Sequence, residues 1–331
     1  MLALCLGLAL AIYLIVASGA GEVAHAMLLI GWGLVPITLY HVVPMTLGAL
    51  AWRDLLPHKS PLGAAGVVWI RWIRESINSL LPVAGVGGDL AAARLAYLRG
   101  VGGARSAASI VVDLTVGVVT QMVFVMLGLA LLVARSSEPA VLTVAWAVLA
   151  GIGLFFVAVA LFLVIQHRGM FEVSARLAGG LLRNGRLLQL AGKASAIDAS
   201  VVAIYRDRGR FWRANLVRLL GWAAGTGEIW LTMHFFGQPI GLTEAFILES
   251  LGAGVRAVAF MVPGALGVLE ASYIVFGGLF GLTAETALAL SLSKRVRELG
   301  LGVPGLLAWQ WIEGRHLLRR RRHRAASAAP Q

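Results

Sequence analysis

Six apolar runs dominate this chain: residues 2 to 18, 25 to 51, 106 to 134, 140 to 166, 211 to 236 and 284 to 312. A helix crossing a hydrocarbon core of roughly 30 Å takes about 20 apolar residues, so each run is predicted to span a membrane. With 59% hydrophobic and 13% charged residues, the chain lies far from the soluble range of about 45–50% apolar and about 25% charged. No stretch is polar enough for a soluble domain, and a single membrane domain is expected over residues 1–331. Small residues Ala17, Ser18, Gly19 and Ala20 after the first run mimic a cleavage site, but no Lys or Arg precedes it, so it is read as a retained span. The single cysteine, Cys5, excludes disulfides and cysteine-based metal sites.

The net charge of +12 is unevenly placed. Arg168, Arg176, Arg183, Arg186, Lys193, Arg206, Arg208, Arg210, Arg213 and Arg218 crowd the centre, read as a basic cytoplasmic loop over 167–210. Arg315, Arg319, Arg320, Arg321, Arg322 and Arg324 crowd a basic cytoplasmic tail over 315–331. Positive charge marks the cytoplasmic side. By alternation from the central loop, Arg53, His58, Lys59 and the stretch 99–105 also fall inside, as do both termini. Such clusters attract anionic lipid headgroups, and nucleic acid is not an expected partner.

Two regions resist reading as simple spans. Residues 62 to 98 begin as a membrane helix, but Arg71, Arg74 and Glu75 interrupt it and Pro82, Gly85, Gly87 and Gly88 break it. Residues 244 to 281 carry Glu249 and Arg256, a break at Pro263, Gly264 and Gly267, and a second apolar stretch starting near Glu270. Proline removes an amide donor and glycine turns without a side-chain clash. A re-entrant helical hairpin is expected in each region. The chain enters the first from the cytoplasm and the second from outside, so the hairpins open to opposite faces.

The breaks share a spacing: "LPVAGVGGD" and "VPGALGVLE" each place a carboxylate, Asp89 or Glu270, seven residues after a proline, and each is preceded by Glu-Ser, seven residues before the proline in one case and fourteen in the other. Opposed broken hairpins are what an inverted repeat produces, with substrate sites near midplane between the units. The halves would be residues 1–166, with hairpin 62–98, and 211–314, with hairpin 244–281. Half-helices starting after the breaks expose amide N–H groups and a positive dipole end. Asp89 and Glu270, in those first turns, also suit simple helix capping.

Ionisable groups at the centre of a membrane helix cost roughly 2.5–3.5 kcal/mol each on insertion scales, so they need partners or a purpose. Helical spacing sets Arg71 with Glu75 and Arg74 with Asn78 on neighbouring faces. Lys294, Arg295, Arg297 and Glu298 lie inside the last run. Glu298 is placed to pair with Lys294 or Arg295, and the other cations need Glu249, Glu270, water or an anionic substrate group. Asp113, Gln121, Glu228 and His234 are expected to be satisfied polar groups of the core. A lone histidine does not make a metal site, and neither metal nor cofactor is expected. No phosphate loop of the G-x-x-x-x-G-K-[ST] type occurs, and no H-E-x-x-H or G-x-S-x-G.

The stretches "RWIRESINSLLPVAGVGGDLAAARL" (71 to 95), "MVPGALGVLEASY" (261 to 273) and "ALSLSKRVRELGLGVPGLLAWQ" (289 to 310) resemble the flippase-like membrane family that includes the transmembrane part of lysylphosphatidylglycerol synthases. Within it, the likeness is greatest to the hopanoid-biosynthesis-associated HpnL type. The resemblance implies movement of a lipid, a hopanoid or phospholipid, across or out of a bacterial inner membrane. It also implies partners in lipid synthesis or export. The family's polar positions map onto Arg71, Glu75, Asn78, Pro82, Gly87, Gly88, Asp89, Pro263, Gly264, Gly267, Glu270, Arg295 and Arg297. No aminoacyl-transfer domain follows Arg315, so synthase activity is not expected.

The reading is a non-enzymatic lipid translocase, with substrate-binding residues Arg71, Glu75, Asn78, Asp89, Glu249, Glu270, Arg295 and Arg297 around a hydrated cavity. One alternative is an intramembrane enzyme acting on a polyprenyl or lipid phosphate, with Glu75 or Glu270 as base and Arg295 and Arg297 holding the phosphate. Another is a scaffold recruiting lipid-synthesis enzymes, for which the hairpin acids would be immaterial.

Overall fold

The computed structural model describes residues 28, 31–81, 86–135, 157, 161, 164–166, 185–259, 262 and 265–327. Cys5 and the run 2 to 18, nearly all of 140 to 166, the break residues Pro82, Gly85, Pro263 and Gly264, and the central stretch up to 184 lie outside the described residues. Among the described residues every regular element is helical. Helices α1 (Leu34–Tyr40) and α2 (Val42–Leu55) form one span-length unit bent at His41. Pro44, in the first turn of α2, has no N–H to return to the Tyr40 carbonyl, which accounts for the bend. Helices α3 (Ala64–Leu80) and α4 (Gly87–Leu98) follow, then α5 (Gly103–Arg135), α6 (Gly185–Arg206) and α7 (Arg208–Phe235). The second half ends with α8 (Leu242–Val258), α9 (Val268–Gly278) and α10 (Ala284–Ser327).

Both regions that resist a simple span are interrupted. Helix α3 stops at Leu81, whose backbone is extended, and α4 resumes at Gly87. Helix α8 stops at Ala259, and α9 starts after Gly267, which has a φ of 75°. That φ favours glycine, so Gly267 sets the direction in which α9 leaves the break. Gly88 does a different job. A Cβ there would run into the Arg74 carbonyl and come within 2.6 Å of Asn78 Oδ1. Only glycine lets α4 lie this close to α3, and Asn78 Oδ1 then accepts the Gly88 N–H at 2.8 Å.

Packing repeats between the halves. Helix α3 packs on α4 and on α10, the helix that follows the second interrupted pair; α8 packs on α9 and on α5, the helix that follows the first pair. Helices α2 and α7, which precede the two interrupted pairs, pack on each other. The Glu-Ser dipeptides occupy matching places in this scheme. Ser76 sits against Gly305 of α10 and Ser250 against Gly128 of α5, each so close that an added Cβ would overlap the hydroxyl. Small-residue contacts of this kind hold helices together in lipid, where apolar burial gives no net drive. Leu34 and Ile37 of α1 join the core of the second half, whereas Ala49 and Trp52 of α2 join the first. The bend at His41 therefore carries the chain between the two cores.

Three assignments gain detail. Within the basic stretch 167–210, α6 occupies Gly185–Arg206 and packs on α5 through Ile197, Val201 and Ile204. The tail 315–331 is helical to Ser327 as a continuation of α10. Arg218 belongs to neither, being a buried residue of α7.

The pattern of burial is inverted relative to water. Arg74, Asp113, Glu228 and Glu270 are at most 4% exposed, while Leu114, Leu127, Leu216, Leu220, Leu299 and Leu307 are all at least 39% exposed. Exposed leucines around a charged interior suit a hydrocarbon solvent, in which polar groups must find partners inside the protein. The Gly31–Leu55 unit and α5 are both long and apolar enough to cross a bilayer.

Candidate functional site

The interior charges form two clusters, one per half. In the first, Arg74 of α3 reaches over the break with Nε 2.5 Å from Asp89 Oδ1 in the first turn of α4. Its Nη1 donates to Asp113 Oδ2 on α5. Arg71 pairs with Glu75 at 2.6 Å, as its helical spacing predicts, and its Nη1 lies 3.5 Å from Asp113. Arg218 of α7 approaches the same carboxylate at 3.8 Å. Three guanidiniums thus converge on Asp113. Glycines make the room: a Cβ at Gly48 would come within 3.1 Å of Arg218 Nη1, and one at Gly117 within 2.9 Å of Nη2.

The second cluster is built on α10. Lys294 Nζ lies 2.5 Å from Glu249 on α8, and Arg295 Nε lies 3.2 Å from Glu270 in the first turn of α9. Glu298 gathers Arg295 at 3.1 Å, Arg256 at 2.9 Å and Arg297 at 3.5 Å. Arg297 Nε also lies 3.2 Å from Glu228 on α7. The first-turn carboxylates Asp89 and Glu270 are therefore more than local dipole compensation, because each holds a guanidinium from another helix. Asn78 does not pair with Arg74 as its spacing suggests. Arg74 is committed to two aspartates, and Asn78 binds the start of α4 instead.

His41 joins the clusters. Its Nδ1 lies 2.9 Å from Glu228 Oε2, and its Nε2 lies 3.8 Å from Glu75 Oε2. In the network of described residues, seven carboxylates (Glu75, Asp89, Asp113, Glu228, Glu249, Glu270, Glu298) meet seven cations (Arg71, Arg74, Arg218, Arg256, Lys294, Arg295, Arg297). This network is thus electrically balanced while His41 is neutral, which is what makes so many charges tolerable in a low-dielectric setting. Hydrogen-bonding capacity remains at Arg295 Nη2 and Glu270 Oε2, neither of which has a hydrogen-bond partner among the described residues. Beside the network lies an apolar groove of ≈ 590 Å³, lined by residues that include Val42, Thr46, Val68, Trp69, Trp72 and Leu301. On α2 and α3 its lining ends one residue from His41 and three from Glu75. The side chains of these two residues are 23% and 33% exposed.

All eight predicted binding residues are described, and Arg71, Glu75, Asp89, Glu249, Glu270, Arg295 and Arg297 are all members of this network; Asn78 serves the first break. Asp113 and Glu228, expected to be satisfied core groups, are central to it. His234 is exposed and stacks on Trp230, contrary to the core position expected. Gln121 is a satisfied core group, donating to the Ala253 carbonyl at 2.9 Å. His41 was not singled out, although a histidine followed by Pro44 in an otherwise uncharged run marks a bend carrying a polar group. Among the described residues no His, Cys, Asp and Glu group suits a metal ion.

The sequence pattern of a family described as lysylphosphatidylglycerol synthase TM region matches residues 4–305. No curated protein matches the chain, and no solved structure matches it.

Proposed function

We propose that this chain, which belongs to the family of the lysylphosphatidylglycerol synthase TM region, is a translocase that carries a polar-headed lipid across or out of the inner membrane. It is a helical membrane protein of a lipid-associated family, so lipid is the substrate class from which the reading starts. The observation that carries the rest is the balanced ionic network between two interrupted helix pairs, with an apolar groove on α2 and α3 whose lining includes Val42, next in sequence to His41, and Trp72, one helical turn before Glu75. A headgroup would exchange hydrogen bonds with Glu75, Glu270 and Arg295, while the apolar body lies along Val68, Trp69 and Trp72. We take both helix pairs to be re-entrant and opposed, with the termini in the cytoplasm and the packing exchange between halves reflecting an inverted repeat. Movement would follow from one half rocking against the other about α2 and α7.

The translocase is read as non-enzymatic. Among the described residues every network cation is engaged by a carboxylate, which supports this reading over one in which guanidiniums hold a phosphate. A hopanoid is the substrate suggested by the resemblance of the break motifs. The test is purified protein in liposomes with fluorescently labelled lipid, following leaflet exposure and chemical turnover together. Exposure of inner-leaflet lipid without product supports translocation; release of phosphate or a modified lipid would replace it with the enzymatic reading.

A further inference from the structure

We infer that His41 is a proton-binding site whose occupancy exchanges partners between the two ionic clusters, so that lipid movement by this protein is coupled to protons. The inference rests on the translocase reading above and adds its coupling ion.

Geometry around the ring sets a conflict. Nδ1 lies 2.9 Å from Glu228 Oε2 and 2.5 Å from Arg297 Nη1, and Nε2 lies 3.0 Å from the same Nη1 and 3.8 Å from Glu75 Oε2. A neutral imidazole has one N–H and one lone pair, arginine only donates, and an ionised carboxylate only accepts. The neutral ring therefore serves Arg297 and one carboxylate. Protonated, it carries two N–H groups, serves both Glu228 and Glu75, and has nothing to offer Arg297. Arg297 has somewhere to go, since its Nε is 3.2 Å from Glu228 Oε1 and its Nη2 is 3.5 Å from Glu298.

Every charged group that faces the ring takes part in this choice. Helix α3 contributes Glu75, held by Arg71; α7 contributes Glu228; α10 contributes Arg297 and Glu298, with Lys294 held by Glu249. Tyr40, beside the ring on the bend, is committed to the Ala224 carbonyl at 3.0 Å. The described network is neutral without the proton, so binding one leaves a net positive charge that Glu75 and Glu228 must share. The His41–Glu75 separation of 3.8 Å is too long for a hydrogen bond. Protonation shortens it and draws the first cluster onto the second; release of the proton lets them part. The proton is taken from and returned to water, with no bond made or broken in the lipid. An unperturbed imidazole exchanges its charge between about pH 5 and 8.

Two measurements test this. In the first, ¹⁵N NMR of the histidine side chains of the full chain is followed against pH. The signal removed by His41→Gln is expected to shift with pH as the ring gains and loses a proton. Glu75→Gln, which removes an acceptor that favours the charged ring, is expected to move its midpoint to lower pH. A His41 signal that does not titrate, or that Glu75→Gln leaves in place, overturns the inference. In the second, proteoliposomes of phosphatidylethanolamine and phosphatidylglycerol report exposure of labelled phosphatidylethanolamine with and without an imposed pH gradient. The gradient is expected to speed the wild-type protein about tenfold and to have no such effect on His41→Gln that elutes as the wild type does. A gradient response kept by His41→Gln, or lipid movement indifferent to the gradient in the wild type, overturns the coupling and leaves the translocase standing. A titrating His41 with no lipid movement at any pH overturns the translocase reading, and with it the coupling.

Discussion

Arg74 and Asp89 face each other across the first helix break, Nε to Oδ1 at 2.5 Å, with both side chains no more than 5% exposed. The pair fixes the start of α4 to α3 beyond the extended residue Leu81 at which α3 ends. Removing one partner of such a pair strands the other in a low-dielectric interior, which costs about 3–5 kcal/mol. Arg74→Met strands Asp89 and removes one of the three guanidiniums at Asp113, so a loss within that range is expected in thermal unfolding in detergent. Arg74→Lys is expected to recover only part of it, because an ammonium lacks the fork that reaches two carboxylates.

Lys294 and Glu249 join α10 to α8 at 2.5 Å. Each single change, Lys294→Met or Glu249→Leu, is expected to destabilise by about 3–5 kcal/mol, whereas the double change is expected to approach the wild type. Unfolding midpoints of the four proteins give the coupling directly. Additive losses would show that the two side chains do not depend on each other.

Much of this was readable from residue order, and the limits are physical. Arg71 with Glu75 follows from helical spacing, and the interruptions around Pro82 and Pro263 follow from amide loss and glycine freedom. The need for Lys294 and Arg295 to find Glu249 and Glu270 follows from the cost of charge in hydrocarbon. What spacing cannot reveal is convergence from distant helices. Asp113 looks like an isolated acid in an apolar run until α3 and α7 bring Arg71, Arg74 and Arg218 to it. Arg218 reads as one more member of a basic stretch because its burial depends on where α7 enters the bundle. His41 carries no formal charge, and its importance lies entirely in what stands opposite.

The two Ser-Gly contacts should answer alike if the halves are equivalent. Gly305→Ala and Gly128→Ala each push a methyl group into a serine hydroxyl, and overpacking of this kind costs about 1–3 kcal/mol. Ser76→Gly and Ser250→Gly are expected to relieve their own partner's defect and not the other's. Comparable midpoints for the two single variants support matching roles, and a large loss at one site with none at the other would deny them.

Glu270 and Arg295 lie 3.2 Å apart, and each keeps one polar atom without a hydrogen-bond partner among the described residues. Glu270→Gln preserves shape and hydrogen bonding while removing charge. It is expected to slow lipid exposure in liposomes at least about tenfold with little change in elution or expression. An unchanged rate would remove this residue from the path.

The arrangement depends above all on the two interrupted helix pairs entering from opposite faces, because that shelters the charges between them. In a Cys5→Ser background, single cysteines at the exposed positions Gly63, Gly102, Gln238 and Gly278 bracket the two pairs. An impermeant thiol reagent applied to right-side-out and inside-out vesicles reads their sides. Gly63→Cys and Gly102→Cys are predicted to label together from the cytoplasmic face, and Gln238→Cys and Gly278→Cys together from the other. Labelling of Gly63→Cys and Gly102→Cys from opposite faces would mean that the first pair crosses the membrane, and would contradict the account.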